Sequence, residues 1–233
     1  MTTTSLRNSK QSAYIYSPRS QIKTIKHSAD GASFAELSYD YDSNDNRTSE
    51  SKRLGAEQLT TGYQFDQHDR VKRIEYPAAY GESAKVVIYT YDNAHNRKTE
   101  TTSQDGNSSS KTYVYNNLDQ LTAIQTTGDV KATQTAYSYD DNGNVEQKVV
   151  TQNLGGASPD GSPQTSTTTT DYTFDIRNQL QQVSQAQFNA DYYYDASGQR
   201  LRTQYRDPNT NAITDAQHSL YQGIKLLSQY DLD

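Results

Sequence analysis

Tyr89-Thr90-Tyr91-Asp92-Asn93-Ala94-His95-Asn96-Arg97 is the stretch that decides the fold. Two rings separated by one residue have the period-2 spacing of a strand, which sets both side chains on one face. The acid that follows can accept hydrogen bonds from its own backbone two residues on and so start a turn. His95, four residues after Tyr91, stands where a turn of this kind calls for a positive φ.

The same pattern occurs eight times, with ring pairs Tyr14/Tyr16, Tyr39/Tyr41, Tyr63/Phe65, Tyr89/Tyr91, Tyr113/Tyr115, Tyr137/Tyr139, Tyr172/Phe174 and Tyr192/Tyr194. These slots use 14 of the 20 Tyr and 2 of the 4 Phe. Taking the second ring as a marker, successive gaps are 25, 24, 26, 24, 24, 35 and 20, a repeat of about 24 residues. The marker is followed by Ser17, Asp42, Asp66, Asp92, Asn116, Asp140, Asp175 or Asp195, all turn starters. Four residues after the marker stand Ser20, Asp45, Asp69, His95, Asp119, Gly143, Asn178 and Gly198, a set rich in residues that tolerate positive φ. Return strands such as Ile22-Lys23-Thr24-Ile25 and Val71-Lys72-Arg73-Ile74 complete each β-hairpin.

A second period overlies the first. Odd units carry aliphatics six and nine residues after the marker: Ile22/Ile25, Val71/Ile74, Leu121/Ile124 and Leu180/Val183. Even units are polar there, with Arg47/Glu50, Arg97/Glu100, Val145/Lys148 and Arg200/Thr203. The alternation predicts different surroundings for odd and even hairpins, as in a sheet that winds into a spiral. Rings of successive units are expected to pair with one another and replace an aliphatic core.

Such replacement is needed. Leu, Ile, Val and Phe make up 35 of 233 residues, below the range of an ordinary globular domain. Net charge is only -6, too small to argue for disorder by itself. The fold class expected is all-β: repeated antiparallel hairpins of about 24 residues in a wound, curved sheet. Residues 1–13 read as an N-terminal tail and 14–233 as the repeat array. The Gly, Pro, Ser and Thr of Thr151 to Thr170 read as a flexible insertion.

Several function classes find no support. There is no cysteine for a disulfide, thiolate site or Cys nucleophile. No apolar run reaches signal-peptide or membrane-span length, and scattered Lys and Arg at a pI near 5.2 give no basic face for nucleic acid. Asp42-x-Asn44-x-Asn46 and Asp140-x-Asn142-x-Asn144 resemble the start of a calcium loop. Their sixth positions are Arg47 and Val145 and their twelfth Arg53 and Thr151, so turn chemistry accounts for them. His27, His68, His95 and His218 lack metal-ligand spacing. No cofactor, metal site or catalytic constellation is expected, since an acid repeated in equivalent turns is not the unique asymmetric cluster catalysis needs. Tyr faces flanked by Asn, Asp and Gln leave open an adhesive or carbohydrate-binding surface with glycan partners.

The unit from Tyr89 to Arg97, and Tyr192 to Leu201 (YYYDASGQRL) above all, resembles the YD repeat of the RHS family. That family includes bacterial polymorphic toxins, the C component of insecticidal Tc complexes and the animal teneurins. The resemblance spans roughly residues 14 to 230. It implies a hollow β-shell, exported from the cell or held at its surface, whose wall encloses a C-terminal toxin polypeptide. The partners it implies are further shell repeats, or a shell-forming protein, and that cargo. Nothing here matches the family's core region, whose aspartates cut the cargo free. The expectation is therefore shell wall without protease or cargo.

Overall fold

Ring-x-ring segments and their return segments are short, alternating and bounded by turn residues, so each forms one strand of an antiparallel ladder. In the computed structural model, residues 2–5, 10–128, 132–157, 163–222 and 225–231 are described. Among them are nineteen strands and no helix. The strands are β1 (Thr2–Ser5), β2 (Lys10–Tyr16), β3 (Ile22–Ala29), β4 (Ala32–Tyr41), β5 (Arg47–Leu54), β6 (Glu57–Phe65), β7 (Val71–Tyr76), β8 (Lys85–Tyr91), β9 (Arg97–Gln104), β10 (Asn107–Tyr115), β11 (Leu121–Gly128), β12 (Thr133–Tyr139), β13 (Val145–Ala157), β14 (Pro163–Phe174), β15 (Leu180–Gln185), β16 (Asn189–Tyr194), β17 (Arg200–Arg206), β18 (Ile213–Gln222) and β19 (Lys225–Asp231).

The chain divides into two compact units, Met1–Lys111 and Thr112–Asp233. In the first, β1 through β9 pair antiparallel, each with the next in sequence. In the second, β11 through β19 do the same. Every ring-x-ring segment ends a strand, as its period-2 spacing predicts.

Two segments differ from the sequence reading. Residues 1–13 contain β1 and the start of β2, and Thr2 lies opposite Tyr14, so pairing begins before the first ring pair. Within 151–170, β13 and β14 continue as one long ladder, with Thr151 opposite Thr167 and Asn153 opposite Thr165. Gln152 is opposite Thr133 and Thr170 opposite Gln185, near the ends of the neighbouring ladders. The hairpin arms therefore project past both neighbours. β-Branched Thr suits a strand even where polarity alone suggests a loop. Residues 158–162 of that insertion lie outside the described residues.

Register assigns the faces. Directly opposed residues share a side, and so do i and i+2. Tyr14 opposes Ile25, Ile25 opposes Leu37, and Leu37 shares its side with Tyr39 and Tyr41. Followed across each unit, the register puts all the ring pairs it reaches on one face. Ser12, Val87, Thr170, Val183, Ala190 and Thr203, six of the seven buried residues among those described, lie on that face. The opposite face carries hydroxyl and ionic pairs: Ser51 with Thr60, Thr90 with Thr99, Arg53 with Glu36.

No large side chain among the described residues is fully buried. The accessible surface is 15473 Å² for 26.2 kDa, against about 10,600 Å² for a compact globular chain of that mass. The excess reflects how little of the chain is withdrawn from water.

Candidate functional site

The chain repeats one local structure eight times. In each turn the N–H of the residue after the marker donates to the carbonyl four residues on, at 2.8–3.0 Å. The N–H of the residue three further along donates back to its carbonyl at 2.9–3.2 Å. Asp42, Asp66, Asp92, Asn116, Asp140, Asp175 and Asp195 each accept, through one side-chain oxygen, the backbone N–H groups two and four residues on, at 2.8–3.1 Å. Ser17 does the same with its hydroxyl at 3.3 Å. The calcium-like spacing at Asp42 and Asp140 is thus spent on turn closure. Ser20, Asp45, Asp69, His95, Asp119, Gly143, Asn178 and Gly198 all have positive φ, between 57° and 86°. A bulge follows, and it places the marker opposite the residue six further on: Tyr16 with Ile22, Tyr41 with Arg47, Phe65 with Val71, Tyr139 with Val145, Phe174 with Leu180.

That bulge fixes where the odd-even alternation falls in space. It brings the residue nine after the marker directly opposite the first ring, so Tyr14, Tyr63 and Tyr172 face Ile25, Ile74 and Val183. Tyr39, Tyr89 and Tyr137 face Glu50, Glu100 and Lys148. The expected ring-on-ring stacking between units is not what the register builds. A return strand lies between successive ring pairs, setting them about 9.6 Å apart, two strand spacings. In three of the four even units an arginine lies against the first ring, and Arg47 reaches across this gap. The Arg47 guanidinium lies 5.5 Å from the Tyr39 ring centre and 5.6 Å from that of Tyr63. Arg97 covers Tyr89 at 4.5 Å, and Arg200 lies 5.7 Å from Tyr192. Glu50 binds Arg47 at 3.1 Å and Lys52 at 3.2 Å, and Glu100 binds Arg97 at 3.1 Å and Lys111 at 2.9 Å.

The even markers are tied to the unit before them. Tyr41, Tyr91, Tyr139 and Tyr194 donate their hydroxyls to the carbonyls of Ile22, Val71, Leu121 and Leu180 at 2.9, 2.6, 2.7 and 2.9 Å. Each acceptor is the residue six after an odd marker. The two Phe markers, Phe65 and Phe174, are both odd, where this donor is not required. That confinement of Phe to odd units was the available signal for the hydroxyl link, and the sequence reading did not use it.

Turn tips of neighbouring hairpins also touch. Arg19 pairs with Asp45 at 2.8 Å, Asn46 donates to Asp69 at 2.6 Å, and Arg70 meets His95 Nδ1 at 2.9 Å. His68 and His95 stand edge to face at 5.2 Å. In the second unit Asn144 donates to Asn178 at 3.0 Å.

The electrostatics follow the same plan. The Arg70 guanidinium, bonded to Asp66 at 2.7 Å, holds that carboxyl at about 2, helped by the N–H groups of Arg70 and His68. Asp140 is held low by the Asn144 amide, and Asp175 and Asp195 by the backbone N–H groups of Gln179 and Gln199. Burial pushes Tyr137, Tyr192 and Tyr194 up. These acids serve as turn acceptors. Among the described residues, no group of three or more His, Cys, Asp or Glu is placed to hold a metal ion. No helix of the described residues is long and apolar enough to cross a membrane.

No family model matches the chain, and no curated relative matches it. Solved structures do. The crystal structure of TcdB2-TccC3-TEV superposes with a TM-score of 0.54 at 13% identity, over 91% of this chain and 14% of that one. The crystal structure of TcdB2-TccC3 without its hypervariable C-terminal region gives a TM-score of 0.51 at 14% identity, over 95% of this chain and again 14% of that one. At such identity the likeness is one of fold, and it relates nearly all of this chain to a small part of a much longer one.

Proposed function

We propose that this chain is a non-enzymatic wall segment of an RHS-type β-shell that encloses or presents a toxin polypeptide in an exported bacterial system. The observation that carries the reading is a run of registered hairpins in each unit, ribbed with rings on one face and lined with hydroxyl and ionic pairs on the other. A globular enzyme buries one face of its sheet under a second layer. A wall must instead be finished on both sides, and here rings, Arg and Glu do on one face what a core would do.

The mechanism is sequestration. Hairpin repeats propagate a sheet by nearest-neighbour contacts alone, so length can be added without a new core. Further repeats or a partner protein would pair with the strand edges, which otherwise invite aggregation. Cargo on one side would be screened from proteases and from its targets. The fold likeness to TcdB2-TccC3 supports this reading, as do the YD-type turns.

The experiment is protease challenge of the native polypeptide or complex that carries this segment. Cargo should resist digestion until the wall is unfolded, for example by urea. Cargo cut at the same rate before and after wall unfolding would remove the basis for the proposal.

A further inference from the structure

The β7–β8 connection breaks the pattern of the other turns. Three tight turns opposite the YD-type turns have two successive residues at positive φ. They are Asp30-Gly31 (50°, 82°), Asp105-Gly106 (54°, 77°) and Tyr80-Gly81 (53°, 85°). The third is closed by Ala79 and Glu82, each donating its N–H to the other's carbonyl at 3.0 and 2.9 Å. Asp tolerates the left-handed region through its short polar side chain, whereas Tyr has no such compensation. Tyr80 is also 87% exposed and makes no hydrogen bond or ring contact among the described residues. The chain thus keeps, at one of three like turns, a residue that strains the backbone and leaves its ring in water. Among the described residues no side-chain contact of Tyr80 offsets this, and strain of that kind collects where an external partner is met.

The turn forms a ridge between two grooves of about 420 and about 680 Å³. The smaller is lined on the ring face by Leu59, Tyr76, Lys52, Lys85 and Glu50, with Glu82 beside Tyr80. Two acids oppose two bases, so the groove favours neither a polyanion nor a polycation. Strands β5 to β8 are each paired on both sides, so an extended peptide finds no free backbone edge there. The Lys85 ammonium covers the Tyr76 ring at 4.8 Å, Glu50 is held by Arg47 and Lys52, and Gln104 donates to the Ser83 carbonyl, so the lining left open is the Tyr80 ring with Glu82 and Thr61 beside it. A pyranose matches that lining, with a C–H face for the Tyr80 ring and hydroxyls for Glu82 and Thr61.

We infer that the Tyr76–Tyr80 groove is a binding site for a neutral oligosaccharide, with Tyr80 as its projecting anchor. This site is independent of cargo enclosure and can fail or hold without it. The test is an immobilised array of neutral gluco-, galacto- and manno-oligosaccharides, with sulfated and sialylated glycans and random peptides alongside. It is probed with the whole chain and with Tyr80→Asn. Asn suits the turn better, so the variant should unfold at the same or a higher temperature while binding at least tenfold more weakly. Capture of a neutral oligosaccharide, lost in Tyr80→Asn with the fold intact, is the expected result. No neutral oligosaccharide bound, equal binding by Tyr80→Asn, or Tyr80-dependent capture of acidic glycans or peptides alone would overturn it.

Discussion

At the scale of single residues, one hydroxyl ties each even marker to the hairpin before it. Tyr91 donates to the Val71 carbonyl at 2.6 Å, so Tyr91→Phe leaves a half-covered acceptor without its partner. It should cost about 0.5–1.5 kcal/mol in urea unfolding. Tyr16→Phe, at an odd marker, should be close to neutral, because Phe65 and Phe174 already fill the equivalent position. Titration adds a second expectation. Asp66 sits at about 2 when folded, below the ordinary carboxylate value, so its contribution is present above about pH 4 and is lost as pH falls toward 2. Asp66→Asn keeps the turn, as Asn116 does natively. Its melting temperature should lie below that of the parent at pH 7 and converge on it near pH 2. Raised tyrosines work in the opposite direction. The stability associated with Tyr194 is present below about pH 10 and is lost as pH rises through its elevated folded value.

Among elements, the turn is the most constrained, and its demand falls on one backbone position. Gly198 has φ 86°, and a Cβ there would meet Gln179 Nε2 at 3.0 Å. Gly198→Ala should cost about 1–2 kcal/mol, read from the unfolding midpoint. Ser20, at φ 64° in the first hairpin, meets the same demand with a side chain, so Ser20→Gly should stabilise by about 1 kcal/mol. Opposite signs from two changes at equivalent positions would show that the conformation itself, not lost contacts, sets the cost. The turn was readable because its chemistry is local: acceptor, spacing and positive φ lie within six residues. The long arms of β13 and β14 were not, since a Thr-rich polar stretch has loop-like composition, and only a strand beside it makes it a ladder.

Over the whole molecule, stability is a sum of neighbour contacts without a central core. Val87, Val183 and Ala190 are the buried apolar residues among those described. A destabilising change in one hairpin should therefore speed amide exchange in that hairpin and its neighbours and leave distant hairpins protected. Hydrogen exchange with mass spectrometry on Gly198→Ala reads this directly, and uniform loss of protection across residues 10–220 would contradict it. The urea dependence of unfolding should also be shallow for 233 residues, since the folded chain already exposes more surface than a compact domain of its mass and has less left to uncover.

Period-2 rings, turn acids and left-handed positions were legible in the chain because each acts over a few bonds. They were enough to define hairpins, their length and the face the rings share. Pairing across strands decided the rest. A single bulge per turn shifted register so that Glu50 faces Tyr39, return strands held ring pairs too far apart to stack, and Arg47 came to lie between them. The Tyr80 turn shows the same division. The sequence reading passed over Tyr80-Gly81, and only the left-handed turn it forms between two grooves, with the ring left in water, marks it out. Backbone preference is a property of neighbours in sequence, whereas the environment of a side chain belongs to neighbours in space.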